Sequence, residues 1–203
     1  MIEPPERMAE RDAAIDAMLP NVPFEGWTVR ALRAGLAAAG LPEDEATILF
    51  PGGSADMISV FCDLADRRME AAAESLSETR LSDRVRAIIA LRLRMNRPYK
   101  EAIRRALAAL ALPNNTREAA AITARTIDAI WHAAGDRSAD FSWYTKRVLL
   151  TAVYGATLLF WLHDTSENDE QTVAFLARRM AGIGRLTRAR SRAGSMLQRL
   201  RPA

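Results

Sequence analysis

Residues 28–54, TVRALRAGLAAAGLPEDEATILFPGGS, decide the fold class. Thr28 stands where a helix N-cap is needed, because its hydroxyl can accept from a first-turn N–H. The helix it opens runs to Ala39 and stops at Gly40, which tolerates the left-handed conformation of a C-terminal cap. Pro42 falls in the first turn of a short helix, 42–49, where a missing N–H costs nothing. Pro51-Gly52-Gly53 breaks the chain, and Ser54 caps a long helix reaching about Ser77. Short helix, Ala-Gly-Leu turn, short helix, then Phe-Pro-Gly before a long helix is the spacing of a helix-turn-helix.

Outward from this segment the helical signal continues. An amphipathic helix spans 6–19, with Met8, Ile15, Met18 and Leu19 apolar, and stops at Pro20. The turn NVPFEGW (21–27) leads into Thr28. Downstream, helices are expected over 82–95, 98–111, 116–134, 142–163 and 169–181, separated by Asn96-Arg97-Pro98, Pro113-Asn114-Asn115 and polar turns. Gly182 and Gly184 mark a hinge before a basic stretch, 185–201. Ala and Leu dominate a chain that is 49% hydrophobic, and 203 residues suffice for a real core. The reading is all-α.

Composition also excludes. One cysteine, Cys62, forbids an internal disulfide framework and fits a reducing cytosol; in its apolar run it reads as an inert core thiol. The acidic opening Met1-Ile2-Glu3-Pro4-Pro5 does not read as a secretory signal, and residues 1–16 do not read as a basic, acid-poor transit sequence. His132 and His163 are the only histidines, on different helices, with no metal-ligand spacing and no phosphate-binding glycine loop nearby. No catalytic residue, metal or cofactor is therefore expected. The helix-turn-helix invites DNA, and charge argues against it. Between Arg33 and Arg67 there is no Lys or Arg, while Glu43, Asp44, Glu45, Asp56, Asp63 and Asp66 are all acidic. Such a surface would be repelled by phosphates.

The net charge of +3 conceals a division. Residues 171–203 hold eight arginines and no acid, which leaves the first 170 residues at −5. On a helical wheel Leu186, Ala189, Ala193, Met196, Leu197 and Leu200 gather on one side of the tail. Arg190 and Arg201 border it on one edge, and Arg185, Arg188, Arg192 and Arg199 on the other. Arginine stems can cover apolar surface while their heads meet lipid phosphates, so Arg185, Leu186, Arg188, Arg192, Met196, Leu197, Arg199 and Leu200 are the expected contacts with an anionic membrane. A solvated tail, or a helix folded back on the body, are the alternatives.

Residues 133–164, AAGDRSADFSWYTKRVLLTAVYGATLLFWLHD, carry the functional signal. Trp143 and Tyr144 follow an Asp-x-Ser-x-Asp-Phe turn, and the 15 residues from Val148 to Leu162 carry no charge. That run is short of the roughly 20 residues a bilayer span needs, so it reads as a buried helix. Large amphipathic aromatics at its head are what partners use as anchors, unless both simply pack inside.

The same string resembles the signature of the ubiquinone-biosynthesis accessory lipid-binding family. The matching residues are Asp136, Ser138, Asp140, Phe141, Trp143, Tyr144, Thr145, Lys146 and Arg147, then Phe160, Trp161, Leu162 and Asp164. NVPFEGWT (Asn21–Thr28), LFPGG (Leu49–Gly53) and Thr172-Val173-x-Phe175-Leu176-x-Arg178-Arg179 extend the likeness from about residue 7 to 180, and the last 20 residues depart from it. The resemblance implies a TetR-like bundle of nine body helices plus a C-terminal amphipathic basic helix. It would be divided into a helix-turn-helix-like part (1–76), a lipid-binding and dimerisation part (77–181) and a hinge with basic tail (182–203). It also implies a homodimer, at the cytoplasmic side of the inner membrane, that serves the demethoxyubiquinone hydroxylase. Asp136, Asp140, Phe141, Trp143, Tyr144 and Arg147 would form the docking patch. Phe61, Leu64, Met69, Ile88, Leu91, Met95, Ile103, Leu107, Ile127 and Trp131 would enclose an isoprenoid or quinone lipid, or a phospholipid, although so many apolar positions equally describe plain core. The expected function is to hold a quinone-pathway lipid and present it to the hydroxylase. The rivals are a TetR-family ligand-responsive repressor and a cationic-tail scaffold for nucleic acid.

Overall fold

The computed structural model describes residues 3–136 and 142–182, with the side chains of Ser142 and Trp143 outside the description. Asp140, Phe141 and the whole basic tail from Arg185 to Leu200 therefore lie outside the described residues. Among those described there are ten α-helices and no strand. They are α1 (Ala9–Met18), α2 (Val22–Glu25), α3 (Val29–Ala38), α4 (Ala46–Leu49), α5 (Gly53–Ala73), α6 (Leu81–Met95), α7 (Lys100–Leu110), α8 (Thr116–Ala133), α9 (Ser142–His163) and α10 (170–182).

Thr28 caps α3 by accepting from the N–H of Ala31 at 3.1 Å. Gly40 ends the helix at φ 70°, so that Leu41 N–H reaches back to the Leu36 carbonyl at 2.8 Å. Gly35 matters differently: a Cβ there would lie 2.5 Å from the Ala17 carbonyl oxygen and 2.7 Å from Met18 Cα. Only a bare backbone lets α3 pack so closely on α1.

Three elements depart from expectation. The segment 42–49 is not one helix but a 3₁₀ turn, Glu43–Glu45, followed by a single α turn of which only Ala46 is buried. The turn at 21–27 contains α2, four residues long, too short to show a period. The long helix ends at Ala73 rather than Ser77. There Arg84 donates to the carbonyls of Ala73 (3.1 Å), Leu76 (3.0 Å) and Ala133 (3.2 Å), taking up the orphan acceptors where α5 and α8 end.

Helix α5 is the axis of the molecule, packing on α8, α6 and α1. Its acids turn inward. Asp56 pairs with Arg11, and Asp63 with Arg7 (2.7 Å) and Arg67 (2.9 Å). Asp66 meets Arg92 at 2.8 Å. Trp27 closes the N-terminal lobe on the body. It is buried, its ring lies 5.2 Å from that of Phe61 on α5 in a tilted contact, and it donates its indole N–H to the Ala102 carbonyl on α7 at 2.9 Å.

Helix α9 departs from expectation as well. Leu150, Val153, Tyr154, Thr157 and Trp161 face the core at helical spacing. The opposite face is apolar too and open: Tyr144 is 68% exposed, Val148 69% and Leu159 57%. The uncharged run is thus half-covered rather than buried throughout. Among the described residues no single helix is long and apolar enough to cross a membrane.

The α9–α10 junction is a knot of hydrogen bonds. Asn168 and Asp169 hold left-handed φ of 52° and 58°, and Lys100 bonds both the Asp169 carboxylate (3.0 Å) and the Asp164 carbonyl (2.9 Å). The Asp164 carboxylate accepts from Ser166 N–H and hydroxyl and from Thr172 N–H and hydroxyl, at 2.6–2.8 Å. Burial raises this carboxyl and the four donors outweigh it, holding it well below the usual carboxylate range. A carboxylate with a depressed folded-state pKa contributes stability that is whole above its unfolded value of about 4 and is lost as pH falls through the folded value. Asp164→Asn is therefore expected to melt earlier than wild type at neutral pH, with the gap narrowing below about pH 4. A gap that stays constant into acid, followed by circular dichroism, would refute the role of the charge.

Candidate functional site

A cavity of about 80 Å³ opens between α5, α6, α7, α8 and α9. Ile103, Ala106, Leu107 and Leu110 of α7 form one wall, and Ile122, Thr123 and Thr126 of α8 face it. Phe61 and Cys62 come from α5, Tyr154 and Leu158 from α9, and Arg92 from α6. Each is placed by ordinary helical spacing: Ile103, Ala106 and Leu110 share one face of α7 at intervals of three and four.

One end of this apolar space is polar. Arg92 donates from Nε to Asp66 (2.8 Å) and from Nη1 to the Tyr154 hydroxyl (2.7 Å), and Thr126 donates to the second Asp66 oxygen (2.8 Å). All four residues are buried. Burial pushes the Asp66 carboxyl up against the pull of Arg92, and pushes the Tyr154 phenol up to about 12. The ion pair satisfies both charges by direct hydrogen bonds, which is what permits it in an apolar body. Cys62, partly buried where it lines the cavity, has its thiol pushed up to about 12 by burial, so no reactive thiolate exists there at neutral pH.

The ten residues expected around a lipid divide. Phe61, Ile103 and Leu107 line this cavity. Leu64 and Met95 line a smaller one of about 40 Å³, with Phe61, Arg68 and Tyr99. Met69, Ile88 and Ile127 are sealed in the general core, and Leu91 and Trp131 are partly buried against it. The helical periodicity does not single out the polar end, Arg92, Thr126 and Tyr154. Its signal was available in Arg92, which shares the buried stripe of Val85, Ile88, Ile89 and Leu93.

At the head of α9 the structure exposes Tyr144, ties Asp136 to Lys146 at 3.2 Å, and pairs Arg147 with Asp128. Lys146 also lies 5.8 Å above the Trp131 ring. Asp136 and Arg147 are thus held near Tyr144 by the chain's own charges. Asp140, Phe141 and the Trp143 side chain are outside the described residues. Among those described, no group of three or more His, Cys, Asp or Glu side chains is arranged to hold a metal ion.

The family model described as COQ9 matches residues 116–187. The chain is 35% identical over 175 residues to the ubiquinone biosynthesis protein COQ9, mitochondrial, of Homo sapiens, covering 82% of this chain and 55% of that protein. It is 34% identical over 179 residues to the Drosophila melanogaster protein of the same name, covering 85% and 54%. The Schizosaccharomyces pombe protein is 35% identical over 170 residues, covering 82% and 66%. The chain spans about half the length of the human and Drosophila relatives. A solved TetR transcriptional regulator from Nitrosomonas europaea ATCC 19718 superposes with a TM-score of 0.68 over 86% of this chain and 97% of that one, at 24% identity, which speaks to the fold alone. On a TetR-like all-helical fold, with sequence likeness along most of its length, the chain belongs to the COQ9 family.

Proposed function

We propose that this chain is a lipid-binding accessory protein of ubiquinone biosynthesis, without catalysis of its own. It takes up an isoprenoid or quinone intermediate and presents it to a membrane-associated hydroxylase. The observation that carries this reading is the α5–α9 cavity, apolar along most of its wall and polar at one end. The relatives' printed name, ubiquinone biosynthesis protein, points to the same pathway. The physical need is plain, since each buried CH₂ of a polyprenyl tail favours the bilayer over water by about 0.8 kcal/mol. Pockets that enclose a drug-sized ligand measure roughly 300–1,000 Å³. A space of about 80 Å³ accommodates a headgroup, so the tail has to leave through the mouth or widen it. We assign anionic membrane contact to the basic tail, residues 185–203.

A ligand-responsive repressor on the same fold is disfavoured by its own surface. Glu43, Asp44 and Glu45 are exposed where a recognition helix would meet phosphate, and the helix there is one turn long. The open face of α9 supports a homodimer, because Val148 and Leu159 are large apolar groups left in water by a single chain. Tyr144 on the same helix supports the docking patch for the hydroxylase.

Three outcomes are expected. Solvent extraction of the purified full chain, read by mass spectrometry, yields an isoprenoid or quinone lipid in near-stoichiometric amount; a lipid-free extract matching a control protein would sink the reading. Val148→Glu converts a dimer to a monomer by light scattering at micromolar concentration, and a wild type that is already monomeric would overturn the dimer. Tyr144→Ala leaves the melting temperature unchanged but costs roughly 2–4 kcal/mol of hydroxylase binding, as expected of an aromatic anchor. Undiminished capture of the hydroxylase on immobilised protein would remove Tyr144 from the patch.

A further inference from the structure

Arg92 and Tyr154 line the cavity with donor capacity that the protein does not use. Both are more than nine-tenths buried. Arg92 employs Nε and Nη1; its Nη2 makes no hydrogen bond among the described residues. The Tyr154 hydroxyl accepts from Arg92, so its own proton is free to be given, and no described acceptor takes it. An occupant that supplies an acceptor there gains a hydrogen bond that the chain itself does not make. Thr126 gives its proton to Asp66, and Asp66 itself does not line the cavity. The Arg92 Nη2 and Tyr154 protons are therefore the ones this end can still give to an occupant.

Charge narrows the occupant further. Asp66 already neutralises Arg92 at 2.8 Å, so the polar end is neutral as a whole. A phosphate or carboxylate brought here would be a buried charge with no counter-ion of its own. A neutral oxygen acceptor would not. We infer that the Arg92–Tyr154 end of the cavity is a headgroup site that takes a neutral carbonyl or aryl-ether oxygen of a lipid, orienting the head inward toward α6 and α9 and the tail outward past Leu107 and Leu158. This rests on the lipid-binding reading and adds to it the chemistry and direction of the bound molecule.

The test uses the purified full chain and three probes of equal tail length: 2-hexyl-1,4-benzoquinone, hexylbenzene and hexyl phosphate, each titrated calorimetrically. Wild type binds the quinone about tenfold more tightly than hexylbenzene, and the phosphate more weakly than the quinone. Tyr154→Phe keeps the Asp66–Arg92 pair and the ring, so it folds where an Arg92 variant would risk the core. It lowers quinone affinity roughly fivefold and leaves hexylbenzene affinity unchanged. Equal affinity for quinone and hexylbenzene, preference for the phosphate, or a Tyr154→Phe protein with the wild-type ratio would overturn the headgroup site while leaving lipid binding intact. Failure of all three probes to bind wild type would overturn the lipid reading and the headgroup site with it.

Discussion

Asp66 and Arg92 face each other at 2.8 Å where four helices of the body meet. Thr126 from α8 and Tyr154 from α9 complete the contact, so one carboxylate and one guanidinium join α5, α6, α8 and α9. Two isolated charges would not survive there, since each would forfeit several kcal/mol of hydration. Held by these short bonds they do, but only in one arrangement. An apolar core of Leu, Ile and Ala could slide by a turn with modest loss, whereas this node cannot slide without stranding a charge. The relative placement of the body helices, and with it the shape and polarity of the cavity, follows from that constraint.

Much of the helical frame could be read from punctuation. Thr28, Gly40, Pro51-Gly52-Gly53 and Pro113 act through their own backbone chemistry, so their effect is local and legible. What escaped was set by partners distant in sequence. Where α5 ends depends on Arg84, and the recognition helix shrinks to a turn with a single buried residue. Of the six acids between Arg33 and Arg67, Asp56, Asp63 and Asp66 belong to ion pairs within the chain, and Glu43, Asp44 and Glu45 remain at the surface to repel phosphate. The cavity was half legible. Phe61, Ile103 and Leu107 are apolar residues among many, and nothing in a helical period tells a cavity wall from a filled core such as Met69 or Ile88. Arg92 and Tyr154 were hidden for a different reason, because a lone polar residue in an apolar stripe acquires meaning only through what lies across from it.

Helix α9 joins the two halves of the functional reading. Tyr154 and Leu158 touch the cavity from one side, while Tyr144, Val148 and Leu159 look outward from the other. The knot at Asp164, Ser166 and Thr172 fixes where the helix ends and α10 begins. A single helix therefore borders both the interior space and an exposed apolar face.

The link made by Trp27 bears on how the cavity can yield. Phe61 lines the cavity and packs against Trp27, and Trp27 is bonded to Ala102 at the head of α7, which supplies another wall. The two walls are strapped together through the N-terminal lobe and cannot part without breaking that strap. The Asp66–Arg92 node pins α8 and α9 at the polar end, so any dilation to admit a bulkier occupant falls to the apolar end of the cavity. The lobe that in form belongs to a DNA reader serves here as a brace, setting the direction in which the protein gives way.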